Sequence, residues 1–405
     1  MTLKEELEIL RGEPIGVREG NLMDIPCIET SDAEKLCKHP IVSVNMITYN
    51  HEPYIRQAIE GVMMQKTDFE FELVIGEDAS TDKTREICFE YQKKYPDKIR
   101  ILWWHENLEK VKHPAGGNPK RTMAHCRGEF IAFCEGDDYW IDPFKLQKQV
   151  DVMRKYPNVG LCHCKCNMIS LDGKEWHSNA EDNRRSRLIP SDEFVAYHIF
   201  GRNFKGLFGR EASVTTPTSL FRRSALNEAI KCFDIYKWRL HLGDEQNYLG
   251  VGCLSDVYFI EDVMSVYRRN EGSAVSRLGG LLRRDHILVR MYFARIKYNL
   301  DPSDISPAML DNFRLSILRS ICMKRQNPDN SFICHPSRYV LSVLRHRRIR
   351  RVFLSFRSFP MLLFFLCGIA NPFVIKVQGC FHRLFLKDGY SRAGYPFFKR
   401  FLKES

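Results

Sequence analysis

Three carboxylates follow a short apolar run near the middle of the chain. Phe130-Ile131-Ala132-Phe133 is followed by Glu135, Asp137 and Asp138 within four residues. Carboxylate oxygens are hard ligands that suit Mg²⁺ or Mn²⁺, and a cation held by one or two protein carboxylates keeps open positions that phosphate oxygens commonly fill. The cluster therefore predicts a divalent-cation site that takes a phosphorylated ligand.

A second interpretation is an acidic, solvated turn that caps the next helix. Asp142 precedes Pro143, and an Asp before a Pro is a good helix start. A cap accounts for Asp142 but leaves Glu135, Asp137 and Asp138 unexplained. Metal binding is the better account of those three.

The cysteines favour reduced thiols in a cytosolic protein. The chain has 14 Cys, and its N-terminus lacks the apolar core of a signal peptide. In a strand, Cys162, Cys164 and Cys166 share one face while His163 points to the other. Zinc sites usually use a CxxC pair with a second pair elsewhere, so buried thiols are favoured over zinc.

The elements that must position the carboxylates alternate between strand and helix. With 44% hydrophobic and 27% charged residues the chain should fold around an ordinary core. Alternation of strands and helices predicts right-handed crossovers, a largely parallel sheet, and ligands at the carboxyl ends of its strands. Tyr49, Asp78 and Asp137 each follow such a strand. The predicted strands cover residues 41–47, 71–75, 99–103 and 130–133.

Beyond residue 159 the order becomes mixed. Strands are predicted at residues 159–168, 216–221, 257–260 and 263–268, with a helix at 224–232. Residues 1–40 read as an N-terminal extension with a short helix near residues 3–10. We predict three regions: the extension 1–40, a catalytic domain 41–275 and a helical, basic region 276–405.

The order and spacing of these segments resemble the family 2 glycosyltransferases. The resemblance rests on Thr48-Tyr49-Asn50 after the first strand, Asp78-Ala79-Ser80-Thr81-Asp82 after the second, Glu135-Gly136-Asp137-Asp138 after the strand at 130–133, and Tyr267-Arg268. It covers about residues 41–275. It implies the GT-A fold, a Rossmann-like mixed and mainly parallel α/β sheet flanked by helices, and inversion at the anomeric carbon.

The resemblance also implies roles for individual residues. Thr48, Tyr49, Asn50 and Asp78 would bind the nucleotide-sugar, with Tyr49 and Asp78 at its base and ribose. Glu135-Gly136-Asp137 takes the place of the family's Asp-x-Asp, with Asp137 as metal ligand and Asp138 beside the donor sugar. Glu135 departs from the usual first Asp, and Tyr49 has a packed loop aromatic as its alternative.

Asp244 lies where the family places its catalytic base. An acceptor hydroxyl must lose its proton as it attacks, and a positioned carboxylate can accept it. The alternatives are that Asp244 is a helix N-cap after Gly243 and that Glu245 is the base. Asp82 reads as a turn or cap residue.

Three basic residues near these segments are left open. Lys120 and Arg121 precede the acidic strand by a helix, so they are candidates for contact with the donor diphosphate or members of a solvated helix face. Arg268 carries the same two interpretations.

Positive charge is concentrated at the C-terminus. The net charge is +11, and residues 281–405 hold 23 Lys and Arg against 7 Asp and Glu, which is +16 and leaves −5 for residues 1–280. Basic residues 345–351 precede the apolar stretch 353–377, whose longest clean piece, 360–370, is shorter than the ~20 residues of a spanning helix. We expect 345–405 to contact an anionic membrane peripherally. One alternative is an ordinary helical subdomain. Another is nonspecific binding to the phosphates of nucleic acid, although no recognised nucleic-acid fold accompanies the segment.

The sequence thus predicts an inverting, Mn²⁺- or Mg²⁺-dependent glycosyltransferase. Its donor would be a nucleotide-diphosphate sugar, a UDP-sugar above all, and its acceptor a glycan or a lipid-linked saccharide in capsule, lipopolysaccharide or related polysaccharide synthesis. It would be cytoplasmic, at the inner face of the cell membrane, without a nucleic-acid partner. The alternative is a noncatalytic, membrane-attached subunit that binds nucleotide-sugars; nucleotidyl transfer is disfavoured because the loop 48–53 is neither Gly-rich nor basic.

Overall fold

The structure is a computed structural model that describes residues 27–108, 117–170, 175–177, 184–200, 213–233, 244–269, 289, 290, 293 and 297. One compact unit comprises residues 16–199 and 206–277, and it contains all strands named below; the other comprises residues 1–15, 200–205 and 278–405. The helix predicted near residues 3–10 and the basic segment 345–405 lie outside the described residues. The domain boundaries at residues 40 and 275 stay predictions.

Within the described part of the chain, eleven strands form one mixed sheet. Its path runs β1-β4-β3-β2-β5-β10-β7-β11-β6, with β8 paired to β7 and β9 to β11. The strands are β1 (Ile28–Thr30), β2 (Val42–Thr48), β3 (Phe71–Glu77), β4 (Ile99–Trp103), β5 (Phe130–Phe133), β6 (Tyr139–Trp140), β7 (Val159–Ser170), β8 (Glu175–His177), β9 (Arg187–Ile189), β10 (Leu220–Arg222) and β11 (Asp256–Arg269).

Seven helices are described alongside the sheet. No helix among the described residues is both long and apolar enough to cross a membrane. The helices are α1 (Ile55–Met63), α2 (Thr84–Lys94), α3 (Asn118–Ala124), α4 (Lys145–Lys155), α5 (Ser191–Phe200), α6 (Arg223–Phe233) and α7 (Asp244–Leu254), with a 3₁₀ turn at Thr216–Thr218.

Four parallel strands form the half of the sheet that positions the acidic residues. β4, β3, β2 and β5 are neighbours in that order, and each pair is parallel. All seven residues of β3 are buried, as expected where helices cover both faces of a parallel sheet. On α1, Ile55, Ala58, Ile59 and Val62 are buried at the three- and four-residue steps that the sequence predicts.

Three predicted strands differ from the observed ones by more than their ends. The predicted strand 216–221 begins as the 3₁₀ turn Thr216–Thr218, because Pro217 has no N–H for a strand ladder, and the strand proper is β10. The predicted strands 257–260 and 263–268 are one strand, β11. The acidic residues Glu261 and Asp262 fall at an irregularity in its register with β7, between Ile260 and Val263.

The cysteines of β7 are buried thiols, as predicted. Cys162, Cys164 and Cys166 are free, and none is more than 6% exposed. Burial raises the pKa of the Cys166 thiol to about 11 and that of Cys164 to about 12. These thiols therefore act as small apolar groups that pack against the 3₁₀ turn, where the Cys164 thiol lies 3.8 Å from the Thr218 carbonyl oxygen.

Candidate active site

The polar segments that follow β2, β3 and β5 meet at one edge of the sheet. The Asp78 N–H donates to the Thr48 carbonyl at 3.1 Å, and the Gly136 N–H donates to the Ile47 carbonyl at 2.9 Å. The chain leaving β2 is therefore held between the chains leaving β3 and β5. This arrangement follows from the parallel pairing, since the carboxyl ends of parallel strands share an edge.

Residues 135–138 form a tight turn, which we name the acidic turn. The Asp138 N–H donates to the Glu135 carbonyl at 3.0 Å. One carboxylate oxygen from each of Glu135, Asp137 and Asp138 lies within 4.8 Å of the others, and among the described residues no other group of three such side chains has the spacing of a metal site. The turn closes against β2, because a Cβ on Gly136 would lie 2.7 Å from the Thr48 hydroxyl oxygen.

The carboxylates of the acidic turn repel one another. Burial, followed by the negative charges of Asp137 and Asp244, raises the pKa of Glu135 to about 8. Burial and the charges of Asp137 and Glu135 raise the pKa of Asp138 well above its ordinary value. Three carboxylates at this separation repel one another when they are ionised, and protonation alone is a poor way to relieve that repulsion. A bound divalent cation would offset it.

Asp138 carries an oxygen whose hydrogen-bonding capacity is unused within the described part of the chain. Its Oδ1 accepts a hydrogen bond from the Arg268 main-chain N–H at 2.8 Å. Its Oδ2 is buried and accepts none from the described residues. A buried carboxylate oxygen without a donor is costly, and coordination to Mg²⁺ or Mn²⁺ would satisfy it. The donor set of the acidic turn thus fits a hard divalent cation.

Asp244 is the first residue of α7 and is exposed. Its Oδ1 accepts a hydrogen bond from the Glu245 N–H at 2.9 Å, and its negative charge contributes to the raised pKa of Glu135. The carboxylate therefore lies at a helix start and close enough to the acidic turn for its charge to act on Glu135. Capping and catalysis are compatible uses of the same side chain.

Glu245 is a poorer candidate for the base than its neighbour. It is 4% exposed, and its Oε1 lies 3.7 Å from Nδ1 of His198 on α5. Its carboxylate is therefore buried beside His198. Of the two adjacent acids, only Asp244 is accessible to an acceptor.

The segments predicted to bind the nucleotide are tied to one another. Both oxygens of the buried Asp78 carboxylate accept hydrogen bonds, from the Asn107 amide at 2.9 Å and the Leu108 N–H at 3.0 Å. Asn50 adopts a left-handed conformation with φ 54°, and its Oδ1 accepts a hydrogen bond from the Thr81 N–H at 2.8 Å. Tyr49 is half-buried beside it.

Asp82 is a turn and cap residue, as predicted. Its carboxylate accepts hydrogen bonds from the main-chain N–H groups of Glu52 and Thr84, each at 3.0 Å. These bonds connect the loop after β2 to the start of α2. Because both carboxylate oxygens are used in these bonds, Asp82 is a poor candidate for a ligand-binding residue. The same bonds lower its pKa.

The structure corrects the placement of Arg121. Both sequence interpretations put its side chain in solvent or on a phosphate, but it is fully buried, and its Nη2 donates to the Glu77 carbonyl at 3.0 Å and to Asn118 Oδ1 at 2.6 Å. The buried side chain therefore binds the carbonyl of Glu77, the last residue of β3. This placement gives a diphosphate contact no support.

Two residues beside the acidic turn were not predicted as part of the site. His51 Nε2 lies 3.9 Å from Asp137 Oδ2, and burial lowers the pKa of the imidazole. Tyr267 is half-buried, and burial together with the charges of Glu135 and Asp138 raises its pKa. The sequence signal for His51 was its adjacency to Asn50, and Tyr267 belongs to the Tyr267-Arg268 segment of the resemblance, for which no role of Tyr267 was predicted.

Comparisons with known proteins agree with this arrangement. The model of the family Glycosyl transferase family 2 matches residues 43–229. An uncharacterized protein of Mycobacterium bovis is 32% identical over 230 residues, which are 56% of this chain and 59% of that protein. This chain therefore spans about three fifths of that relative's length. GgaA of Bacillus subtilis, a minor teichoic acid biosynthesis protein, is 32% identical over 98 residues, 24% of this chain and 21% of that protein.

A solved structure shares the fold. TarS of S. aureus, residues 1–349 in complex with UDP-GlcNAc, superimposes with a TM-score of 0.51 at 17% identity, over 77% of this chain and 81% of that one. Likeness at this identity concerns the fold, which is GT-A as predicted. The match to glycosyl transferase family 2 thus spans residues 43–229, a little under half of the chain, and includes the three strand-end motifs that meet at one edge of the sheet.

Proposed function

We propose that this chain transfers a sugar from a nucleotide-diphosphate donor to an acceptor hydroxyl, with inversion at the anomeric carbon. The observation that carries the proposal is the acidic turn. Three carboxylates with oxygens within 4.8 Å of one another lie at the edge of the sheet where the chains leaving β2, β3 and β5 meet, and the charge of the exposed Asp244 carboxylate acts on one of them, Glu135.

The acidic turn would hold Mn²⁺ or Mg²⁺, with Asp137 as first ligand and Asp138 and Glu135 beside it. A bound divalent cation offsets the charge that develops on the departing diphosphate. Asp244 accepts the proton of the acceptor hydroxyl as that oxygen attacks the anomeric carbon. Attack from the face opposite the diphosphate inverts the configuration, as in inverting glycosidases, which also place a carboxylate base on that face.

A UDP-sugar is the proposed donor. Thr48, Tyr49, Asn50 and Asp78 belong to the two interconnected segments beside the acidic turn, so a nucleotide bound there would present its diphosphate to the metal site. The complex of TarS with UDP-GlcNAc, on the same fold, supports this class of donor.

The proposed acceptor is a glycan or lipid-linked saccharide at the inner face of the cell membrane, in polysaccharide synthesis. The similarity to GgaA supports a cell-surface polymer. The basic composition of residues 345–405 supports a peripheral contact with anionic lipid.

A donor screen tests the proposed function. The purified full-length chain is incubated with Mn²⁺ or Mg²⁺, a panel of UDP-, GDP- and dTDP-sugars and a mixed acceptor pool, and released nucleoside diphosphate is measured. We expect release from one donor, dependent on metal and lost in Asp137→Asn. Glu90→Gln is the matched control, because Glu90 is an exposed carboxylate that pairs with Arg56.

Two results would contradict the proposal. Release that persists in EDTA would remove the metal from the reaction. No release, together with retained binding of a nucleotide-sugar, would favour the noncatalytic subunit, and the absence of both release and nucleotide binding would contradict both hypotheses.

A further inference from the structure

Arg268 lies on β11 directly against the acidic turn. It is 9% exposed, which excludes the solvated helix face considered from sequence. Its main-chain N–H donates to Asp138 Oδ1 at 2.8 Å. Its side-chain Nε donates to the main-chain carbonyl oxygen of Asp137 at 2.9 Å. One residue thus contacts both aspartates of the turn, through different atoms.

The rest of the guanidinium is held by Gln57 of helix α1, by Tyr54 just before that helix and by Tyr139 of β6. Nη2 donates to Gln57 Oε1 at 2.8 Å. The guanidinium carbon lies 4.6 Å from the ring centre of Tyr54 and 5.3 Å from that of Tyr139. A planar group fixed by two hydrogen bonds and two aromatic rings has little rotational freedom. Arg268 therefore connects the acidic turn to α1 through a rigid side chain.

This connection bears on how the turn can hold a cation. Arg268 fixes the main-chain carbonyl of Asp137 through a hydrogen bond. The direction of the Asp137 carboxylate, which would bind the cation, therefore depends on that hydrogen bond. The positive guanidinium also opposes the mutual repulsion of the three carboxylates. Lysine would keep the charge but could not donate to Asp137 and Gln57 in the same fixed geometry.

We propose that Arg268 is a positioning residue that sets the cation affinity of the acidic turn by fixing the main chain of Asp137 to helix α1 through Gln57. This inference rests on the proposed function, because it assumes that the acidic turn holds a divalent cation.

Mn²⁺ binding tests the proposal without relying on turnover. The full-length chain is titrated with Mn²⁺ alone, and binding is monitored by calorimetry and by the EPR signal of free Mn²⁺. These measurements give the dissociation constant for wild type, Arg268→Lys and Arg268→Gln. Groups that orient metal ligands typically change affinity 10–100-fold, and we expect a loss of about tenfold or more in both variants. The KM for Mn²⁺ in donor turnover should rise by a similar factor, while kcat at saturating Mn²⁺ stays within a few-fold.

Gln57→Ala guards against a folding defect in the Arg268 variants. Gln57 is exposed, so its truncation should leave the fold intact and yet release one end of the guanidinium. We expect a smaller loss of Mn²⁺ affinity, of a few-fold. Arg56→Gln is the matched control, because Arg56 lies one residue away on α1, is exposed and pairs with Glu90. Its dissociation constant should equal that of wild type.

The outcomes separate the two proposals. Wild-type protein that binds no Mn²⁺ would contradict the metal-dependent function and this inference with it. Wild-type binding with unchanged dissociation constants in Arg268→Lys and Gln57→Ala would overturn this inference alone. A lower melting temperature in those variants with unchanged Mn²⁺ affinity would show that Arg268 acts on stability only, which also overturns it.

Discussion

Two adjacent acids at the start of α7 have opposite surroundings. Asp244 is exposed and its charge acts on Glu135 of the acidic turn, whereas Glu245 is buried against His198. The sequence alone left both as candidates for the catalytic base, because a helix start gives neighbouring residues similar prospects. We favour Asp244 as the base because its side chain is exposed and that of Glu245 is buried, a difference that the turn of about 100° between successive helix residues allows.

Asp244→Asn should abolish transfer while leaving donor binding intact. Asparagine keeps the size of the side chain and its acceptor for the Glu245 N–H, but it cannot take up the acceptor's proton. General base catalysis typically contributes about 10²–10⁴-fold, so we expect kcat to fall by at least about 100-fold with little change in the dissociation constant for the donor.

Steady-state kinetics and nucleotide titration measure the two effects separately. Asp68→Asn is the control, because Asp68 is an exposed surface acid with a 67% exposed side chain. Near-normal turnover in Asp244→Asn would remove Asp244 from the role of base.

Glu135 should make the metal-free protein less stable as the pH rises. Its pKa is about 8 in the folded chain against an ordinary value of 4.5. A raised folded-state pKa favours folding while the group is protonated, so this contribution is present at low pH and is lost as the pH rises through 8. Burial lowers the pKa of His51 from 6.5, which acts in the opposite sense at lower pH. Between pH 6.5 and 8 His51 therefore contributes little, but Asp138, whose pKa is also raised, acts in the same sense as Glu135, so comparison with Glu135→Gln is what identifies the Glu135 contribution.

Thermal melts in EDTA across that window measure the effect. The melting temperature of wild type should fall relative to that of Glu135→Gln, whose side chain does not ionise. Saturating Mn²⁺ should reverse the trend, since the cation binds the ionised carboxylate. Parallel melting curves for wild type and Glu135→Gln in EDTA would contradict the assigned shift.

At the scale of elements, the strands that end at the site could be predicted from sequence because their signals are local. β4 and β5 match the predicted bounds, and β2 and β3 differ by one or two residues, because apolar runs bounded by turn residues specify buried strands. The positions of Arg121 and Arg268 could not be predicted. Each has a partner far away in sequence, Glu77 at 44 residues from Arg121 and Asp137 at 131 residues from Arg268, and nothing local distinguishes a buried arginine from a solvated one.

β6 illustrates the same limit at the level of a strand. It has only two residues, Tyr139 and Trp140, and exists through pairing with Ser265 and Val266 of β11. Two residues carry no periodicity that could indicate a strand. The pairing nevertheless places the acidic turn beside β11, and therefore beside Arg268.

Gly128 is required where β5 approaches β2. A Cβ there would lie 2.4 Å from the Ser43 nitrogen and 2.8 Å from both the Val42 carbonyl carbon and the Phe130 carbonyl oxygen. Because all three are backbone atoms, Gly128→Ala must separate the strands, and we expect a loss of about 1–3 kcal/mol in the free energy of unfolding.

Chemical denaturation of Gly128→Ala against Gly117→Ala measures this cost. At Gly117 an added Cβ meets only Pro119 Cδ at an ordinary 3.8 Å. If the two variants unfold at the same denaturant concentration, the close approach of β2 and β5 is not as described.

At the scale of the whole molecule, charge divides the chain. Residues 1–280 carry −5 and residues 281–405 carry +16. A negative surface is repelled by anionic lipid, so a protein of this composition would meet such a membrane through its C-terminal region. This division would bring a soluble nucleotide donor and a lipid-linked acceptor to one enzyme.

Removal of residues 345–405 should therefore release the protein from anionic vesicles. The segment holds thirteen Lys and Arg against two acids, and basic residues near such a surface contribute about 1 kcal/mol each. Sedimentation with phosphatidylserine-containing vesicles at moderate salt should retain the full chain, and vesicles of neutral lipid should retain less.

A second variant, in which Gln replaces the basic residues of 345–351, separates the contribution of charge from that of apolar insertion. If this variant still binds but the truncated chain does not, the contact belongs to the apolar stretch 353–377. Binding that survives truncation would place the membrane contact elsewhere in the chain.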